Sequence, residues 1–165
     1  MVAARSKTKT DELYLRIIDQ FPNPIWRAGT DAKCNFFNKA WLDFTGRTMA
    51  QEMGDGWAEG VHKDDFDNCL KTYLDAFKKR QPFQMEYRLK HRDGTHHWIL
   101  DSGSPFFDNN NVFLGYIGSC YDINDTKSHL TEIESLNQTM VNRELKMVEL
   151  KKKIETLQQQ IKQAR

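Results

Sequence analysis

The sequence predicts an α+β fold: an antiparallel five-stranded sheet with helices on one face, an N-terminal helix, and a long C-terminal coiled-coil helix. Three observations predict it. Two short apolar runs at 25–28 and 34–37 flank a loop of hairpin composition. Residues 83–123 alternate apolar and polar side chains through three segments separated by polar turns. From Thr126 to the end no Gly or Pro interrupts an apolar heptad pattern.

Taken in order, Thr10 can cap a helix whose Asp11 and Glu12 suit its positive first turn, with Leu13, Ile17 and Phe21 recurring every four residues. Pro22 and Pro24 stop it. Ile25-Trp26-Arg27-Ala28 and Cys34-Asn35-Phe36-Phe37 then form a hairpin across Gly29 to Lys33. A short helix is expected from Asn38 to Phe44, closed by Gly46. A longer one is expected from Lys63 to Lys79, with Phe66, Leu70, Tyr73, Leu74 and Phe77 on one stripe.

The meander follows: Phe83 to Lys90, a turn at Arg92-Asp93-Gly94-Thr95, His96 to Phe106, a turn at Asn109-Asn110-Asn111, and Val112 to Ile123. Alternation places Met85, Tyr87 and Leu89 on the core face. Trp98, Ile99 and Leu100 are consecutive, so the outer face of that strand should also be partly covered, by the N-terminal helix or a partner chain.

In the terminal helix Ile133, Met140, Met147, Ile154 and Ile161 fall at a, and Leu136, Leu150 and Leu157 at d. Arg143 is the interior d position that breaks the pattern. Ile at a with Leu at d favours a parallel homodimer. Leu145 and Val148 lie off the seam, as they would if the coil belonged to a larger bundle. The expected organisation is a flexible terminus at 1–10, one domain at 11–127 and a pairing helix at 128–165.

Composition narrows the function classes. The formal net charge is +1, yet Asp11 to Asp125 carries 13 basic and 18 acidic side chains, which argues against a nucleic-acid footprint. Cys34, Cys69 and Cys120 are an odd number at wide spacing, as in a reduced cytoplasmic protein. Arg5, Lys7 and Lys9 precede no apolar stretch and nowhere do eighteen apolar residues run together, so neither secretion nor membrane insertion is expected.

No phosphate loop, Ser/His/Asp set or Walker pattern is present, so the chain is not expected to be an enzyme; Gly54-Asp55-Gly56 precedes no strand-helix unit. His96 and His97 are strand neighbours, point to opposite faces and cannot share an ion, so no metal is expected.

The run Glu86-Tyr87-Arg88-Leu89, Arg92-Asp93-Gly94, Trp98, Pro105, Gly115-Tyr116-Ile117-Gly118 and Asp122-Ile123 resembles the PAS domains of bacterial signalling proteins, in the subgroup ending in Asp-Ile-Thr. Gly56-Trp57 and Val61-His62-Lys63-Asp64-Asp65 are similar to the family's approach to its long helix, with Lys63 where a Pro commonly stands. Asn124 replaces the Thr of the ending motif and can make similar short turn bonds.

The resemblance implies a ligand pocket lined by Phe36, Phe44, Trp57, Phe66, Leu70, Met85, Tyr87, Leu89, Ile99 and Cys120. These large side chains would equally fill a packed core. It also implies a relay through Asp122, Ile123, Asn124 and Asp125 into the dimeric helix, and from there to an effector such as a histidine kinase. A flavin relative would carry Asn-Cys-Arg-Phe-Leu-Gln before its long helix. Here Cys34-Asn35-Phe36 reverses that order, and Cys120 stands where a flavin-contacting Gln is expected.

Haem relatives supply a His from the long helix, and Asp64 to Lys79 contains none. Neither flavin nor haem is therefore expected, and no cofactor is assigned; an unidentified small ligand stands beside the reading of a filled core. Two other readings follow from the same residues. One is a histidine-kinase fragment with phosphoacceptor His129, although Ser128-His129-Leu130-Thr131 lacks the acidic residue and Arg-Thr-Pro context that usually follow. The other is a passive dimerisation scaffold.

Overall fold

The computed structural model describes residues 13–163. A helix at 13–19 (α1) ends before Pro22, which has no N–H to continue it. Thr10, Asp11 and Glu12 of its expected start lie outside the described residues. Asn38, fully buried, fastens the segment after α1 to the domain. Its Oδ1 accepts from the amides of Ile25 (2.8 Å) and Trp41 (3.1 Å), and its Nδ2 donates to the carbonyls of Asn23 (2.9 Å) and Ile18 (3.2 Å).

β1 (Ile25–Ala28) and β2 (Cys34–Phe37) pair as the expected hairpin. α2 (Lys39–Thr45) is capped by Asn38 and ends at Gly46, whose φ of 68° is one that side chains with a Cβ disfavour. Two elements lack a sequence counterpart: α3 (Met49–Glu52) and a 3₁₀ turn at Gly56–Gly60. Both are shorter than the window over which apolar periodicity becomes visible.

α4 (Phe66–Lys79) starts three residues later than its periodicity predicts. Asp65 is drawn off instead to β3, where it holds Arg88 by Nε (2.8 Å), Nη2 (2.8 Å) and the backbone amide (3.0 Å). At the other end Tyr116 Oη lies 2.7 Å from the carbonyl of Ala76, which also accepts from the Gln81 amide, and 2.8 Å from the carbonyl of Gln81, so its side chain ties down the end of α4.

β3 (Phe83–Lys90), β4 (His96–Phe107) and β5 (Phe113–Asp122) complete an antiparallel sheet in the order β2-β1-β5-β4-β3. The last strand therefore inserts beside the first, which puts the chain's exit at the sheet centre. Met85, Tyr87 and Leu89 face the core as alternation predicts. The sheet's other face is only partly covered, with Ile117 and Tyr121 exposed beside Phe21. α1 is fastened elsewhere, at the start of α2, where Asp19 Oδ1 accepts from the Lys39 amide at 2.7 Å.

The chain divides into two units, one up to Asn124 and one from Asp125. The second consists of α5 (Asn124–Gln163), whose first turn takes in residues 124–127, expected to close the domain. At 1.5 Å per residue its 40 residues span about 60 Å.

Candidate functional site

The interior centres on a buried carboxylate. Asp101 sits on the core face of β4, opposite Cys120 of β5 and Met85 of β3. Its Oδ1 accepts from Trp26 Nε1 at 2.9 Å and its Oδ2 from Tyr87 Oη at 3.2 Å, and the Cys120 thiol also donates to it. Burial pushes its pKa up to about 6, opposed by those three donors, and no basic group balances its charge. The thiol of Cys120 and the phenol of Tyr87 are in turn pushed well up by burial and by the carboxylate.

Beside Asp101 is a cavity of about 10 Å³, room for roughly one water molecule. Trp26, Phe37, Trp41, Trp57, Tyr73 and Phe83 wall it, with Cys34, Met85 and Tyr87. Edge-to-face contacts of Trp26 and Trp57 with Tyr73 close it further. The expected pocket is thus largely filled by its own aromatic lining.

Of the ten residues expected to line a pocket, Trp57, Met85 and Tyr87 reach this cavity. Leu89, Ile99 and Cys120 are fully buried around it. Phe66 and Leu70 line a separate surface cleft with Tyr73 and Leu74. Phe36 points away, beneath the Arg27 guanidinium and towards Leu15; its neighbour Phe37 takes the core position, because an irregularity in the β1–β2 pairing shifts the register. Phe44 packs against the rings of His91 and His97 instead.

Asp101 was the residue sequence reasoning missed. Its signal was its place two residues after Ile99, which puts the one acid of the strand on the core face.

The exit from the sheet is tied by side chains. Asp122 Oδ1 accepts from the Asn124 amide at 2.9 Å, while Oδ2 accepts from His97 Nδ1 at 2.8 Å. The Ile123 amide donates to the Trp98 carbonyl at 2.8 Å. The amide side chain at position 124 thus leaves the turn intact, since it is the Asp122 carboxylate that closes it.

Residues 35–120 match the family model described as PAS fold. The chain belongs to the PAS-fold family. This PAS domain is 34% identical over 120 residues to the uncharacterized protein y4lL of Sinorhizobium fredii, covering 73% of this chain and 14% of that one. It is 25% identical over 121 residues to the peroxide stress-activated histidine kinase mak3 of Schizosaccharomyces pombe, covering 72% of this chain and 5% of the kinase.

The chain thus spans a small part of these curated relatives. The N-terminal domain of a diguanylate cyclase with PAS/PAC sensor from Marinobacter aquaeolei superposes with a TM-score of 0.57 at 19% identity. That match covers 64% of this chain and 98% of the other, and confirms the fold.

At the β3–β4 hairpin of the PAS domain, His96 and His97 do point apart, His96 towards His62 and His97 towards His91. The expectation of no metal ligands considered only that neighbouring pair. Across the hairpin His91, Asp93 and His97 converge.

In α5 no residue is buried, and the a and d side chains Ile133, Leu136, Met140, Met147, Leu150, Ile154, Leu157 and Ile161 are all exposed. Leu145 and Val148 are equally exposed off that seam, and His129 lies on the exposed surface of the helix. No helix among the described residues is long and apolar enough to cross a membrane.

Proposed function

We propose that this PAS domain is a non-catalytic sensory or protein-interaction module of cytoplasmic signal transduction. It relays a stimulus or a bound partner through Asp122, Ile123, Asn124 and Asp125 into a parallel dimeric coil, and so to an effector such as a histidine kinase. The observation that carries this reading is the junction: β5, at the sheet centre, turns through a single hydrogen-bonded carboxylate into a 40-residue helix with an exposed heptad seam. A strand shift of a few tenths of an ångström has no slack before the helix begins. A histidine kinase among its relatives supports the effector class, and three buried free cysteines suit a reducing compartment.

The test is sedimentation of the purified chain at micromolar concentration, with spin-label distances across the coil from Lys153→Cys. A dimer is expected, and Asp122→Ala should change the distance distribution without dissociating it. Recovery of a monomer, or identical distributions in the two proteins, overturns the reading.

A further inference from the structure

The β3–β4 hairpin gathers ligands that the sensory reading does not use. The His91 amide donates to the Thr95 carbonyl at 2.8 Å, closing the turn. Asp93 is held in it by the Thr95 hydroxyl (2.7 Å) and amide (2.8 Å). The His91 and His97 rings stack with centroids 4.3 Å apart, and Phe44 packs its edge against both, fixing their planes. Each imidazole side chain is 19% exposed and the Asp93 side chain 49%, so the group is walled on the protein side and open to solvent at the carboxylate.

One candidate donor atom from each of the three residues comes close to the others. His91 Nδ1 is 3.0 Å and His97 Nε2 3.6 Å from the same Asp93 oxygen, and one atom from each residue lies within 4.8 Å of the others. Ligand atoms of a tetrahedral zinc, at about 2.0–2.1 Å from the ion, stand about 3.3 Å apart. The two separations from the Asp93 oxygen bracket that value, and the donor atoms of the two rings lie within 4.8 Å of each other.

His97 also has its outer partner. Asp122 Oδ2 lies 2.8 Å from Nδ1, so in the neutral form of the ring the proton sits on Nδ1 and the Nε2 lone pair faces Asp93. A lone pair set against a carboxylate is unfavourable unless a proton or a cation lies between them. A carboxylate behind the far nitrogen is what orients and strengthens a metal-binding histidine.

We propose that His91, Asp93 and His97 bind a first-row divalent transition metal ion, Zn²⁺ or a close relative, with Asp122 as the outer carboxylate that orients His97. Two imidazoles and one carboxylate leave coordination positions for water or a further donor, and suit borderline ions rather than Mg²⁺ or Ca²⁺. Because Asp122 also accepts from the Asn124 amide, the ion sits one side chain from the start of α5.

The test is calorimetric titration of untagged, chelator-stripped protein with Zn²⁺, repeated with Co²⁺ to read the ligand field from its visible spectrum. Expected are one ion per chain, a Co²⁺ spectrum of low coordination number, and affinity lowered tenfold or more by His91→Gln, His97→Gln and Asp93→Asn. Asp122→Asn should weaken binding by about 10–100-fold, while His96→Gln and His62→Gln leave it unchanged. Asp93→Asn lies in the exposed turn and keeps the test open if either histidine variant fails to fold. Absence of one-to-one binding, or binding that survives Asp93→Asn together with His91→Gln or His97→Gln unchanged, overturns the proposal.

Discussion

The indole N–H of Trp26 donates to Oδ1 of Asp101 at 2.9 Å, joining β1 to β4 across the intervening β5. The indole can cross only because Gly118 on β5 lies beneath it, paired with Gly103 on β4. A Cβ at Gly118 would stand 2.3 Å from the ring, and one at Gly103 would stand 3.1 Å from it. Two glycines, an indole and a carboxylate thus form one packed unit spanning three strands.

The buried carboxylate makes stability fall as pH rises. Asp101 titrates near 6 in the folded chain against about 3.9 unfolded. Between those values the native state holds more protons, so the penalty is absent below about pH 4 and complete above about 6, amounting to roughly 3 kcal/mol. Asp101→Asn should therefore gain about 2–3 kcal/mol on the wild type between pH 4 and pH 7, measured by urea unfolding at each pH. Parallel pH profiles for the two proteins would show that the carboxylate is not paying this cost.

Gly118→Ala forces a methyl into the Trp26 ring. Neither the central strand nor an indole wedged against Tyr73 and Phe83 can yield cheaply, so a loss of about 3 kcal/mol or more is expected. Chemical denaturation followed by tryptophan fluorescence reads it.

Tyr116→Phe keeps the ring stacked on Phe77 and Phe83 but removes the hydroxyl from the end of α4. The expected cost is about 1–3 kcal/mol. Hydrogen exchange should place the loosening at residues 76–81 and leave the β3–β4 pairing protected.

In α5, Leu150→Glu puts a charge into the middle of the seam and should turn a dimer into a monomer in equilibrium sedimentation. Arg143→Leu fills the broken d position and should raise the thermal midpoint of the helix. Equal dimer affinity for wild type and Leu150→Glu would mean that another surface pairs the chains.

Much of the fold was legible because its signals are local. β1, β2 and β3 end where their apolar runs or alternation give way to turn residues. The start of α4 was not legible, because Asp65 is claimed by Arg88, a partner 23 residues away. Phe36 and Phe37 exchanged roles for a related reason: a register irregularity between two strands has no signature in either strand alone. Asp101 was hidden because an acid in an alternating strand reads as a surface residue until its three donors are seen to converge on it.

By itself the sequence determined the five strands, the longer helices, the antiparallel meander and the family, since each rests on residues within short segments. Only the tertiary structure decided that aromatic side chains fill the interior around a buried carboxylate, that His97 meets His91 and Asp93, and that Asp122 serves both a histidine and the first amide of a helix. Those relationships join residues on different strands, where packing and the competition for hydrogen-bond partners, rather than periodicity, choose the neighbours.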